Sequence, residues 1–368
     1  MIKYIGSKRR LVPVLGDLMT RSGARTAVDM FTGTTRVAQE WKRRGAHVTA
    51  VDSARYSAVL AECFIATDAG QVDVEALGVV FDRLNELPGT DGYVTDTFSR
   101  NARYFQEPNA RRIDAIRDTI ETDFAGHPWR PVLLAALLLA ADRVDSTTGV
   151  QMAYLKDWSP RSYQPLELRM PALLAGPGAA VREDATVAVH QLPPVDLAYL
   201  DPPYNQHRYA GNYHVWETLM AWDSPAHYGV ACKREALRGP EGASVFNRRR
   251  EAPAAMAALV AGVQAEVVVI SGSDEGWIPV ADLADMASCR GAVEVLTFDS
   301  KRYVGAQIGI YDRQGKRVGR PGRARNTEYL VVAGPADVVA RMSAGYPKLG
   351  PAVGPVVGPA VGPAVASP

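Results

Sequence analysis

Cysteine is scarce: Cys63, Cys232 and Cys289 are the three in 368 residues, and they lie far apart. An odd, scattered set excludes a disulfide framework and shows no zinc spacing, so a reducing cytoplasm is the expected setting. The six histidines form no pair at metal-ligand spacing, so no metal is expected. An excess of one charge is lacking too, with 41 Lys and Arg against 40 Asp and Glu. That balance excludes a wholly basic nucleic-acid binder but leaves room for a local basic face. Long hydrophobic runs are missing. "PVLLAALLLAADRV" (131–144) is too short to span a bilayer and predicts a buried helix. The basic start "MIKYIGSKRRLVPVLGDL" lacks the apolar stretch of a signal peptide, so no membrane partner is expected. The Gly-x-Gly-x-x-Gly of a dinucleotide fold and the Lys-Ser pair of a P-loop are also absent, which disfavours a dehydrogenase and a phosphate cradle.

What is present reads as an α/β chain. A helix is expected over 7–22, with Ser7 as its N-cap. "RTAVDMF" (25–31) and "AHVTAVD" (46–52) predict buried strands, separated by a loop and a helix that stops at Gly45, and "SARYSAVLAECFIATD" predicts a second helix. From about 70 to 180 the pattern turns mainly helical, with Arg-, Asn- and Tyr-rich loops, as expected of an insertion. Strands resume at 196–201, 265–272, 292–298 and 327–334. The division expected is 1–68 with 181–340 as one α/β domain, 69–180 as a helical insertion, and 341–368 as a tail. The tail carries a Gly-Pro-Ala-Val repeat whose prolines forbid helix or ladder, so it is expected to be disordered.

Ligands of parallel sheets bind at the carboxyl ends of strands. The loop "DMFTGTT" (29–35) sits at such an end, and Gly33 would let the backbone approach a ligand closely. Asp52 ends the next strand, where an acid can bond both hydroxyls of a ribose, although an incidental acid after an ordinary turn fits the same residues. Asp184, in "VREDATVAV" before a short expected strand, is either an acceptor for an adenine amine or a solvated turn residue.

"LDPPYN" ends an apolar run with an acid, two prolines and a tyrosine. Prolines fix φ and lack a donor, so the loop keeps one shape and its carbonyls stay free. Asp201 and the Pro202 carbonyl, held together, suit a planar amino group with two hydrogens to donate, and the Tyr204 ring can stack on the heterocycle carrying it. Such an amine could attack a methyl sulfonium in line, by positioning and electrostatics alone.

These motifs in this order resemble the adenine-specific DNA methyltransferases that use S-adenosylmethionine. Within them the chain is similar to the group with cofactor motifs first, which includes the DNA adenine methylases. The resemblance covers most of the chain to about residue 335. It rests on "YIGSKRRL" (4–11), "DMFTGTTRVA", "VDSARYSA", "LDPPYN", "VISGSDEG" and "NTEYLVV". It implies a Rossmann-like methyltransferase sheet with helices on both faces and target recognition in the helical insertion. It also implies that Lys8 contacts the cofactor's methionine part, with Tyr4 lining that pocket. Asp29, Phe31, Gly33 and Thr34 form the cofactor loop, Asp52 holds the ribose, and Asp184 faces the adenine. Asp201, Pro202, Pro203 and Tyr204 hold a substrate adenine flipped from double-stranded DNA. Met30 stands where the family has proline, and Thr35 where it has a second glycine. Candidate phosphate contacts are Arg9, Arg10, Arg103, Arg111, Arg112 and the run Asn247 to Arg250, including Arg248 and Arg249, though a basic run is usually just a solvated face. Loops 99–109 and 145–161 carry side chains suited to base edges. A cognate restriction endonuclease is a possible partner. Methylation of cytosine or RNA, and a non-catalytic DNA binder on the same fold, are the alternatives.

Overall fold

The computed structural model describes residues 2–5, 8–152, 154–155, 157–206, 208–239, 243–301, 310–311, 317–319 and 325–349. Helix α1 (Val12–Ser22) leads to β1 (Thr26–Asp29), α2 (Arg36–Arg43), β2 (His47–Asp52) and α3 (Arg55–Ala61), which runs on as a π-helix over Glu62–Ala66. Then come α4 (Val74–Glu86), the single turn α5 (Tyr93–Thr95), which continues as a π-helix over Asp96–Asn101, α6 (Glu107–Asp123) and α7 (Arg130–Val144). Strand returns with β3 (Gly178–Arg182) and β4 (Val195–Leu200), flanking the short α8 (Ala185–Ala188). Helices α9 (Tyr209–Asn212) and α10 (His214–Ala221) precede a hairpin of β5 (His227–Tyr228) and β6 (Lys233–Arg234). The chain ends with α11 (Ala252–Gly262), β7 (Ala265–Ser273), α12 (Val280–Ala287), β8 (Ala292–Lys301), the ribbon β9 (Ile310–Tyr311) and β10 (Arg317–Gly319), β11 (Arg325–Gly334) and α13 (Ala336–Ser343).

Seven strands form one sheet in the order β3-β2-β1-β4-β7-β11-β8. The first five are mutually parallel, and β11 runs antiparallel to both its neighbours. The chain walks outward from β1 to β3, then returns to lay β4 on the other side of β1. That reversal is a topological switch point, which opens a crevice beyond the strand ends. Asp29 lies opposite both Ala50 of β2 and Tyr199 of β4, so the carboxyl ends of these three strands converge. Central parallel strands are covered on both faces and read as apolar runs, as "VVVIS" of β7 does.

Each face buries its own core. One joins Leu15 and Leu18 of α1, Trp41 of α2, Tyr199 and Val269 of the sheet, and Ile113, Ile116, Leu134 and Leu137 of the inserted helices. The inserted helices therefore extend this core rather than close one of their own. The other joins Val28, Met30, Leu200 and Ile270 to Met256, Leu259 and Leu283 of α11 and α12. Polar groups stitch the insertion to α10. Gln151 donates its N–H to the Asn212 carbonyl and accepts from Val215 through Oε1, both at 2.8 Å. Fully buried His214 places Nε2 2.9 Å from the Gln151 carbonyl. Burial pushes this imidazole down to about 3, so it stays neutral and donates through Nε2.

Three expectations need correction. The first helix begins at Val12, with Pro13 in its opening turn, and Ser7 lies outside the described residues. The apolar stretch after Asp184 is helix α8, and the strand, β3, precedes the acid. Residues 341–349 are not tail. They complete α13 and then add to the β8 edge, with Thr297 N–H donating to Pro347 and Leu349 N–H to Val295, both at 2.9 Å. The Gly-Pro repeat from 350 onward lies outside the described residues.

Within the insertion, the fully buried Asp114 carboxylate accepts from the N–H groups of Val94 and Thr95 and from Thr95 Oγ1, at 3.0, 2.8 and 2.6 Å. Removing it strands three buried donors. Asp114→Ala should lower unfolding stability by about 2 kcal/mol or more, read as the urea midpoint.

Candidate active site

The site is built where β1, β2 and β4 end. Asp29, 1% exposed, accepts from Thr32 Oγ1 at 3.0 Å through one oxygen, and among the described residues Oδ1 meets no donor. Burial raises its pKa to about 7. The turn after it is pinned to its neighbours. Met30 N–H donates to the Tyr199 carbonyl at 3.1 Å, a bond that proline cannot make, and its side chain fills the core. Thr32 N–H reaches the Val51 carbonyl at 2.9 Å. Gly33 has φ +49°, and a Cβ there would stand 3.2 Å from the Tyr4 ring. Thr35 adopts the left-handed φ of 61° that glycine favours. Its buried hydroxyl donates to the Thr34 carbonyl and accepts from Gln39 Nε2, both at 2.7 Å, so the loop keeps its glycine-type geometry without the second glycine. Phe31 meets Phe246 edge-on with centroids 5.3 Å apart.

Asp52 closes the second strand. Its two oxygens accept from Gly33 N–H at 2.8 Å and Ala54 N–H at 2.9 Å, and burial raises its pKa to about 6. The N-terminus of α3 is capped from a distance: Glu217 of α10 accepts from Arg55 and Tyr56 N–H at 2.9 and 3.3 Å. Tyr4 packs in a triangle with Tyr213 and Tyr209, with centroids 4.7 and 5.3 Å away and those two rings 6.3 Å from each other, and its hydroxyl lies 3.4 Å from that of Tyr56. Tyr213 Oη accepts from Ile5 N–H at 2.6 Å, which fixes the N-terminal strap over the crevice.

At the end of β4, Lys8 Nζ lies 3.2 Å from Asp201 Oδ1 and donates to Tyr204 Oη at 2.6 Å. Tyr204 Oη in turn donates to Asp201 Oδ1. Burial alone would lower the Lys8 pKa, but the facing Asp201 carboxylate holds it above the usual lysine range. Burial also raises Asp201, against the pull of Lys8. The loop is braced from two sides: Trp277 N–H donates to the Tyr204 carbonyl at 3.0 Å, and Asn247 Nδ2 to the Asn205 carbonyl at 2.8 Å. Pro202, Pro203 and Tyr204 face Phe246, Met256 and Trp277 across an apolar pocket.

The structure therefore brings together Tyr4, Lys8, Asp29, Phe31, Gly33, Thr34, Asp52 and the 201–204 loop. Lys8 is engaged with Asp201 and Tyr204. Asp184 sits at the same sheet end but caps α8, its Oδ1 accepting from Thr186 N–H at 2.9 Å. The basic candidates divide. Arg111 pairs with Asp91 and Arg112 donates to the Asn85 carbonyl, both at 2.8 Å, and Arg248 pairs with Glu251 at 2.9 Å. Asn247 faces the catalytic loop. Arg9, Arg10, Arg103 and Arg249 remain exposed. Sequence reasoning missed Tyr209, Tyr213, Glu217 and Trp277. The two tyrosines four apart in "RYAGNYHVWE" were the available signal, since that spacing puts both on one helical face.

A mostly parallel sheet of this order, with acids at three converging strand ends, defines a Rossmann-like methyltransferase. Residues 4–245 match the family model of D12 class N6 adenine-specific DNA methyltransferases, and the chain belongs to that family. It is 27% identical over 318 residues to the type II methyltransferase M.NlaIII of Neisseria lactamica, covering 82% of this chain and 92% of that protein. It is 29% identical over 318 residues to M.CviAII of Paramecium bursaria Chlorella virus 1, with the same 82% and 92% coverage. With the modification methylase StsI of Streptococcus sanguinis it shares 27% over 324 residues, 82% of this chain but 49% of that longer protein. The chain is thus an adenine-specific DNA methyltransferase, related to restriction-modification methylases. Among the described residues no helix is long and apolar enough to cross a membrane, and no cluster of His, Cys, Asp and Glu could hold a metal ion.

The high pKa of Asp29 sets a pH dependence. A carboxyl group raised to about 7 in the fold contributes stability that is complete below about pH 4 and lost as pH rises through 7. Asp29→Asn keeps an acceptor for Thr32. It should match the wild type near pH 4 and exceed it by roughly 2–4 kcal/mol at pH 8 without ligand. Urea midpoints across that range check this.

Proposed function

We propose that the methyl donor is S-adenosylmethionine and that the acceptor is the exocyclic amine of an adenine flipped out of double-stranded DNA. The observation that carries this reading is the Lys8–Asp201–Tyr204 contact set, placed at the switch point beside Asp29 and Asp52. The crevice suits the cofactor on three counts. Asp29 Oδ1 is a buried acceptor with no partner, Gly33 leaves open the space a Cβ would take, and Asp52 keeps lone pairs for hydroxyl donors. Asp52 would hold the ribose, and Phe31, Thr34 and the Tyr4 ring would line the pocket. Asp184 retains one oxygen for an adenine amine. S-adenosylmethionine, when bound, supplies an electrophilic methyl group on a sulfonium.

The chain's own residues supply position and charge. Asp201 and the Pro202 carbonyl accept the two amine hydrogens, which keeps the nitrogen lone pair from delocalising into the ring. The Tyr204 face receives the unstacked base. Asp201, with its raised pKa, can take the proton the nitrogen sheds after transfer. Lys8 holds that carboxylate charged until the base arrives. A contact from Lys8 to the cofactor's methionine part requires it to leave Asp201. Target recognition is assigned to 69–180, with Arg9, Arg10, Arg103 and Arg249 as the phosphate contacts. A restriction endonuclease partner and a cytoplasmic setting complete the reading.

Methyl transfer to unmethylated genomic DNA, followed by mapping of the modified positions, tests it. Adenine methylation within one short motif is the expected result, and cytosine methylation overturns it. Asp201→Ala should lower transfer by roughly 10²–10³-fold or more while cofactor affinity is kept. Lys8→Met removes the charge that lowers the Asp201 pKa, so the acid limb of the kcat/KM profile should move to higher pH. An unshifted limb would place Lys8 on the cofactor instead.

A further inference from the structure

The β5–β6 hairpin lies outside every role assigned so far. Its tip, Gly229 to Cys232, is closed by Cys232 N–H donating to the Gly229 carbonyl at 3.0 Å. Gly229 has φ +68° and Cys232 φ +47°, a conformation that side chains other than glycine seldom adopt. Cys232 is only 5% exposed, so this turn is anchored in the core beneath it. Tyr104 Oη stands 2.9 Å from the Gln151 carbonyl and 3.0 Å from the Ala231 carbonyl, which clamps the tip to the 145–161 loop. Arg238 lies over the Tyr228 ring at 4.3 Å and braces the outer strand. This anchored support presents two apolar side chains to solvent: Val230 at 80% exposure and, from the adjacent loop, Met152 at 49%.

We propose that Val230, with Met152 beside it, enters the base stack of bound duplex DNA and fills the gap left when the target adenine flips out. The inference rests on the flipping reading above. Two observations choose the occupant. The exposed apolar tip has cations at its base: Lys233 Nζ lies 3.3 Å from Met152 Sδ with no acid partner among the described residues, exposed Arg103 directly precedes Tyr104, which holds the tip, and exposed Arg208 opens the turn whose Gly211 adjoins Met152. A polyanionic surface with an apolar interior, reached by prying open one step, matches that pattern. The tip also adjoins the catalytic crevice. Met152 Sδ is 3.8 Å from where a Cβ on Gly211 would stand, and Tyr209, in the same turn of α9, stacks on Tyr4.

The test uses the full chain and a duplex carrying the mapped motif, with 2-aminopurine in place of the methylated adenine. Its fluorescence rises when the base leaves the stack. Wild type should give a strong rise, and Val230→Ala a rise at least threefold smaller, with cofactor affinity and Tm unchanged. A mismatch opposite the target lowers the cost of extrusion, so it should restore the Val230→Ala signal toward wild type. Val230→Leu should keep the rise. A wild-type signal from Val230→Ala on the paired duplex overturns the hairpin assignment alone. No rise with wild-type protein that methylates the same motif overturns base flipping and the assignment together.

Discussion

Two carboxylates, Asp29 and Asp201, stand at the ends of neighbouring parallel strands, Asp29 fully buried and Asp201 half-buried with 16% of its side chain exposed. Parallel strands that meet at a switch point force their last residues together, and charge there carries a desolvation cost that must be met locally. The N-terminal strap meets part of it. Lys8 brings its ammonium to Asp201, while Lys3 pairs with Asp142 and Asp145 of the insertion, both at 3.1 Å, and Ile5 bonds Tyr213. One short segment thus faces Asp201 with a cation and bonds to the inserted helices. Among the described residues Asp29 meets no cation, and its Oδ1 has no hydrogen-bond partner.

The crevice wall is assembled from segments far apart in sequence. Tyr4, Tyr56, Tyr209 and Tyr213 come from the strap, α3 and the two helices after the catalytic loop. Glu217 caps α3 across 162 residues of chain, which sets the start of that helix and hence the turn that follows Asp52. Gln151 and Tyr104 draw the 145–161 loop against α10 and the hairpin. The inserted helices are therefore mechanically continuous with the catalytic crevice.

How much of this was legible in the sequence follows from the range of each interaction. Strands β1, β2, β4 and β7 announce themselves as apolar runs, and the acids that close β1, β2 and β4 mark the crevice because topology places strand ends together. The shape of the first loop was legible only in part. Thr35 replaces glycine yet holds the left-handed conformation, because its hydroxyl is bonded on both sides, and a one-dimensional reading cannot see Gln39 turn toward it. Arg111 and Arg112 were candidate phosphate contacts because they lie in a basic cluster within the inserted region. Their partners, Asp91 and Asn85, lie 20 and 27 residues upstream and meet them only in the fold. The Asp184 region was misread for a local reason. "ATVAV" is as apolar as a strand, but the capping acid before it starts a helix.

The hydroxyl of Tyr204 already occupies the Asp201 carboxylate before any base arrives. On the function proposed above, a base amine that bonds this oxygen, Oδ1, exchanges one hydrogen-bond donor for another. An amino group can make that exchange at little net cost, because a donor leaves as a donor enters. A keto oxygen at the same place offers no hydrogen, and it would leave the carboxylate facing a lone pair. In that reading the resting contact is a chemical sieve, which screens candidate bases by what they can give to an anion ahead of any recognition of the surrounding sequence.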